Sequence, residues 1–156
     1  MLVVDLRNLG RGPAETRGTI EPGNPALEGL DIELAGPLEV TGRIQATGPD
    51  EYLWRGRLEG AVRQECVRCL TEMEQRLDVP VTAYFTDDAD AADDPDRYPL
   101  PDTGSQLDLT QAVRENLVLA VEAFPTCRED CAGLCPTCGA DLNRGACECM
   151  RAAEHT

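Results

Sequence analysis

Residues 127–149 read CREDCAGLCPTCGADLNRGACEC and hold six of the eight cysteines in the chain. They fall into three close pairs: Cys127 and Cys131 as C-x3-C, Cys135 and Cys138 as C-x2-C, and Cys147 and Cys149 as C-x-C. The middle pair sits in a Pro/Gly turn. Two intervening residues let both sulfurs point at one centre about 2.3 Å away, and Gly139 lets the chain turn back so that amide N–H groups reach the thiolates. That is the signature of a zinc knuckle. The segment predicts a structural zinc around Cys135 and Cys138, completed from the other two tail pairs.

Outward from the tail, the remaining pair is Cys66 and Cys69 in CVRC, placed where a hairpin must turn between two strand-like runs. The count allows a second zinc, made by Cys66 and Cys69 with whichever tail cysteines the first leaves over. Other chemistries fit the thiols less well. Disulfides need an oxidising compartment, and no export signal precedes them. A thioredoxin-like pair needs a C-x-x-C at a helix start within an alternating strand and helix pattern. Cys131, Cys135 and Cys138 also spell the C-x3-C-x2-C run of iron–sulfur radical enzymes, but 18 residues after Cys138 cannot supply their barrel.

Upstream the period is two. Leu38, Val40, Ile44 and Ala46 share one face, TGPDE makes a turn, and Tyr52, Trp54, Leu58 and Val62 alternate with Arg55, Arg57 and Arg63. Met73, Leu77, Val79, Val81, Ala83 and Phe85 repeat the pattern, which predicts three antiparallel strands over 37–86 with one face buried. Residues 107–125 carry a helical stripe of Leu109, Val113, Leu117, Ala120, Val121 and Phe124, with Asp108 and Gln111 spaced for a capping box, Leu107 and Ala112 for a staple, and Pro125 as the stop. Residues 1–36 are expected to be irregular and 87–106 an acidic linker. The fold class is therefore α+β: one domain with a small antiparallel sheet packed by one amphipathic helix and ending in a cysteine-rich tail, 126–150.

The charge balance limits the partners. All 14 basic residues are arginine, and 29 acidic residues leave a formal charge of -15. Each tetrathiolate zinc would add a further two negative charges. Phosphate binding draws on positive charge, so direct RNA contact needs a local patch. Arg55, Arg57, Arg63 and Arg68 form one such strip, which a solvated strand face pairing its arginines with Glu74 and Asp78 would also explain. With neither a leader nor an apolar run of membrane-spanning length, a soluble, cytoplasmic protein is expected, with no membrane and no small-molecule substrate. The single histidine, His155, is near the carboxyl end, and no nucleophile with a base can be picked out, so an enzyme is not expected.

The stretch CVRCL at 66–70, the acidic linker, LDLTQAVRENLVLAVEAFP at 107–125 and the GLCPTCGADLN tail together resemble the YceD family of large ribosomal RNA subunit accumulation proteins. The resemblance covers roughly residues 40 to 150. It implies a cytoplasmic factor in ribosome assembly that supports large-subunit ribosomal RNA, contacting an assembling particle or a ribosomal protein. It also implies metal binding at Cys66, Cys69, Cys127, Cys131, Cys135, Cys138, Cys147 and Cys149, framed by Gly133, Leu134, Pro136 and Gly139, and nucleic-acid binding as a second property described for the family. The rival readings are an acidic protein-interaction module, docking through Asp87–Asp96, and a thiol redox or metal-handling protein.

Overall fold

The computed structural model describes residues 2–9, 12–87, 94–100 and 105–154. They form two compact units: Met1–Val62 with Arg76–Val121, and Arg63–Gln75 with Glu122–Thr156. The chain is mixed α+β and mostly strand.

The first unit is built on a sheet larger than the three strands expected. In chain order the strands are β1 (Val3–Asp5), β2 (Ala14–Ile20), β3 (Glu33–Leu34), β4 (Leu38–Gly48), β5 (Glu51–Glu65), β6 (Glu72–Thr86), β7 (Arg97–Pro99) and β8 (Gln106–Asp108). The main sheet runs β2-β4-β5-β6-β7, with β3 pairing β5, and β1 and β8 make a separate ribbon. β6 and β7 are parallel, so the sheet is mixed.

The alternation along β4, β5 and β6 does what the sequence requires. Leu38, Val40, Ile44, Trp54, Leu58, Val62, Leu77, Val81, Ala83 and Phe85 are all buried on one face. The helix α1 (Thr110–Ala120) adds Ala112, Val113 and Leu117 to the same core. Fully burying the valine, leucine, isoleucine and phenylalanine side chains among these contributes about 1.5–3 kcal/mol each.

Trp54 explains why part of the sheet was hidden in the sequence. Gly42 and Gly56 are cross-strand partners, and a Cβ on Gly56 would come within 2.2 Å of the indole ring. The ring therefore lies over a bare patch of backbone and reaches β2, where its Nε1 donates to Thr16 Oγ1 at 2.9 Å. β2 offers this face only Ala14, Thr16 and Gly18 before Ile20, and a Cβ on Gly18 would stand 2.6 Å from Leu2 Cδ2. Large neighbours fill the space, so the strand carries small residues and loses its hydrophobic period. Residues 1–36 are thus not irregular throughout but contain β1, β2 and β3.

The helix is shorter than 107–125. Asp108 Oδ1 accepts from the Thr110 N–H at 2.9 Å, but Gln111 Nε2 turns to Glu115 Oε1 at 3.1 Å, so the capping box does not form. The helix ends at Ala120, well before Pro125. Phe124 lies beyond it and is 82 % exposed, not part of the apolar stripe. The linker expected at 87–106 contains β7, whose Tyr98 is buried with its ring 5.5 Å from Phe85 and its hydroxyl donating to Glu115 Oε2 at 2.8 Å. Most of the acidic stretch Asp87–Asp96, and His155, lie outside the described residues.

Candidate metal centres

The second unit gathers every cysteine. Cys66, Cys69, Cys127 and Cys131 bring their sulfurs within 4.8 Å of one another, and so do Cys135, Cys138, Cys147 and Cys149. The division is specific. The tail site takes its second pair from Cys147 and Cys149, and the pair left over, Cys127 and Cys131, joins the hairpin pair. The sequence ranks a single tail zinc first, whereas the structure assembles two four-thiol clusters on equal terms.

Both C-x2-C pairs are held by the same turn. Leu70 N–H donates to Cys66 O at 2.8 Å and Cys66 N–H to Thr71 O at 2.9 Å; Gly139 N–H donates to Cys135 O at 2.9 Å and Cys135 N–H to Ala140 O at 2.8 Å. In each knuckle the residue after the second cysteine has positive φ, 63° at Leu70 and 75° at Gly139. Glycine adopts this conformation freely, and leucine is strained in it. The first cluster is the more buried: Cys66, Cys69 and Cys131 are inside, with Met73 and Leu134 packed on them. In the second, Cys135 is buried and Cys138 exposed. Cys147 and Cys149 enter at the start of α2 (Glu148–Glu154).

The sulfur geometry of the first cluster fits a tetrahedral ion. Four sulfurs at 2.3 Å from a central zinc stand roughly 3.8 Å apart. Cys66 and Cys131 sulfurs are 3.7 Å apart, and those of Cys69 and Cys127 3.6 Å. A disulfide would bring its sulfurs to about 2 Å.

The electrostatics fit as well. Burial would raise the Cys66 thiol, but the N–H groups of Cys69, Cys127 and Arg68 prevail and hold it at about 6. The Cys138 and Thr137 N–H groups bring Cys135 down to about 6. Loss of solvent around its sulfur, then contact with Cys69, Cys131 and Cys66, pushes Cys127 up to about 12. Some thiols in each cluster are poised as thiolates while neighbours keep their protons. A bound cation would neutralise the crowded charge and let all four ionise. With four sulfurs, no position remains for water or substrate, which is the arrangement of a structural site.

Around the first cluster stand residues to which the sequence assigns no part in metal binding. Asn143 Nδ2 donates to Cys131 Sγ at 3.3 Å and, with Oδ1, accepts from Ala132 N–H at 2.8 Å and Arg128 Nη2 at 2.6 Å. Thr71 Oγ1 lies 3.1 Å from Cys69 Sγ, and Arg68 Nη1 donates to Cys131 O at 3.0 Å. Such partners orient ligands, but single side chains between cysteines leave no spacing signal.

The fold and the thiols define a class: a strand-rich α+β protein carrying two four-cysteine knuckle clusters. The chain belongs to the YceD family, whose model, described as large ribosomal RNA subunit accumulation protein YceD, matches residues 54–156. An uncharacterised protein of Mycobacterium tuberculosis is 30% identical over 151 residues, covering 90% of this chain and 70% of the relative. One from Mycobacterium leprae is 27% identical over 90% of this chain and 67% of its own length. A chloroplastic maize protein named large ribosomal RNA subunit accumulation protein YCED homolog 1 is 34% identical over 55 residues, 35% of this chain and 19% of the relative. No solved structure gives a significant match.

Proposed function

We propose that this protein is an accessory factor in large-subunit ribosome biogenesis that supports large-subunit ribosomal RNA accumulation from the cytoplasm. It acts by binding rather than catalysis, and two zinc ions serve as structural centres. Membership of the YceD family carries the ribosomal reading. Sulfur spacings near those of a zinc tetrahedron, with amide groups aimed at the thiolates, support zinc. No helix among the described residues is long and apolar enough to cross a membrane.

The partner is an assembling large-subunit particle or one of its proteins. Sedimentation of cell extracts tests this: the protein should run with large-subunit precursors, and a deletion strain should accumulate less large-subunit ribosomal RNA. Its absence from those fractions together with normal RNA levels rules the reading out. Elemental analysis of the native protein should return two zinc ions per chain.

A further inference from the structure

The outward face of the sheet in the first unit is sorted by charge. The registers of β2, β4 and β5 place its side chains in rows across the three strands. One row is Arg17, Thr41 and Arg57; the next is Glu15, Arg43 and Arg55; on the other side lie Thr19, Glu39 and Glu59. All but Thr41 are exposed. Arg43 stands directly opposite Arg55, and Glu39 directly opposite Glu59. Two like-charged cross-strand pairs destabilise a sheet. Exchanging Arg55 with Glu59 would make both pairs opposite in charge at no change in composition, so the order that holds is not the one stability favours.

The arginine cluster is only partly neutralised. Arg43 meets Glu15 at 3.4 Å and Arg57 meets Asp78 at 2.7 Å. Among the described residues Arg17 and Arg55 have no ion-pair partner. Positive charge is thus in local excess in a chain whose net charge is -15. Between the rows lies an open depression of ≈ 480 Å³, lined among others by Glu15, Arg17, Thr41, Arg43 and Arg55.

We propose that this arginine face binds the phosphate backbone of RNA. Guanidinium groups present planar donor forks that match phosphate oxygens, and rows of them on a sheet match a repeating polyanion. None of the large exposed apolar side chains lies in these rows. A protein partner would look for such an apolar or aromatic anchor, whereas phosphate contacts need none. The carboxylates on other faces oppose RNA only at short range, because the Debye length at physiological ionic strength is about 8 Å. The identity of the RNA, a large-subunit ribosomal RNA, rests on the ribosomal reading; the binding face does not.

The test is fluorescence anisotropy of the full-length, zinc-loaded protein with a short labelled single-stranded RNA and a large-subunit ribosomal RNA fragment, over a salt series. The exchange Arg55→Glu with Glu59→Arg keeps net charge constant. It should weaken RNA binding on the order of tenfold or more while Tm stays the same or rises. Arg43→Gln with Arg55→Gln should flatten the slope of log K against log salt by about 0.7 for each phosphate that is no longer neutralised. Arg97→Ala, which removes a guanidinium that lies on β7 and pairs with Asp94, should leave binding unchanged. Wild-type affinity in the folded exchange variant, or competition by polyglutamate as effective as by RNA, would overturn the proposal. Sedimentation separates the two readings: wild-type protein on precursor particles with RNA affinity indifferent to the exchange removes this face and leaves the ribosomal role. RNA binding through this face with no protein on the particles does the reverse.

Discussion

Asn143 lies in the loop that connects Cys138 to Cys147 of the second cluster, yet its amide donates to the sulfur of Cys131 in the first, at 3.3 Å. The same side chain holds Ala132 N–H and Arg128 through its Oδ1, and Leu142 N–H donates to Gly133 O at 2.9 Å. The loop of one site is thus a wall of the other. The amide also holds Cys131 below the usual thiol range. Asn143→Ala should lower metal affinity at the first site by roughly 10–100-fold, the usual effect of losing an outer hydrogen bond. Asn143→Asp should be worse, since it sets a carboxylate against thiolates. Chelator competition followed by mapping of the released thiols checks this: Cys66, Cys69, Cys127 and Cys131 should become reactive earlier than in the wild type.

The two knuckles carry different residues at the left-handed position of the turn. Leu70 adopts a left-handed conformation that Gly139 adopts without strain, and its side chain is 57 % exposed, so little burial offsets the cost. A left-handed L-residue costs roughly 1–2 kcal/mol relative to glycine. Leu70→Gly should therefore stabilise the metal-loaded second unit by about 1 kcal/mol, and Gly139→Leu should destabilise it by a similar amount. The midpoint of thermal metal release, followed with a chromogenic chelator, should move up for the first variant and down for the second.

What the sequence made legible was whatever repeats at a fixed spacing. The knuckle spacing of Cys135 and Cys138, the alternation from Leu38 to Phe85 and the stripe from Leu109 to Leu117 could all be read from the order of residues alone. β2 could not, because Trp54 and Leu2 occupy the room its inward side chains would have taken and leave only small residues. Tyr98 could not, because a three-residue strand between charged stretches has no period to detect. The pairing of the cysteines was open for a different reason: spacing fixes which thiols are close in sequence, but only the hairpin turn at Cys66 and Cys69 decides where Cys127 and Cys131 go. Asn143 shows the same limit, since its role depends on a loop folding back onto another site.

Tyr98 joins β7 to α1 through Glu115, and it carries a pH dependence. Burial, then the hydrogen bond to the Glu115 carboxylate, raises the Tyr98 phenol well above its ordinary value. The folded state therefore keeps the proton at a pH where the unfolded chain, near the ordinary value of about 10, releases it. The contribution is fully present below that pH and is lost as pH rises above it, because the unfolded state then binds fewer protons. Equilibrium denaturation of the wild type should show stability declining above about pH 10. Tyr98→Phe should lose stability near neutral pH, since the hydrogen bond is gone, and should show a shallower alkaline decline.

Metal removal can be followed unit by unit because the only tryptophan, Trp54, is fully buried in the first unit, while all eight cysteines lie in the second. The core around Trp54 is a continuous apolar cluster from Leu2 to Leu117 that contains no thiol. Among the described residues of the second unit, the buried cluster is Cys66, Cys69 and Cys131 with only Met73 and Leu134 packed against it. A core that small cannot organise the segment, so on the proposed function ion binding supplies the stability, which for structural zinc is of order 10–16 kcal/mol at neutral pH. Chelation of the full-length protein should make the tail thiols alkylate rapidly and lower helical signal from α2, while Trp54 emission stays at its buried wavelength. Thiols that remain protected after complete metal removal would show that packing alone holds the clusters. A red shift of Trp54 in step with metal loss would show that the sheet depends on the ions as well.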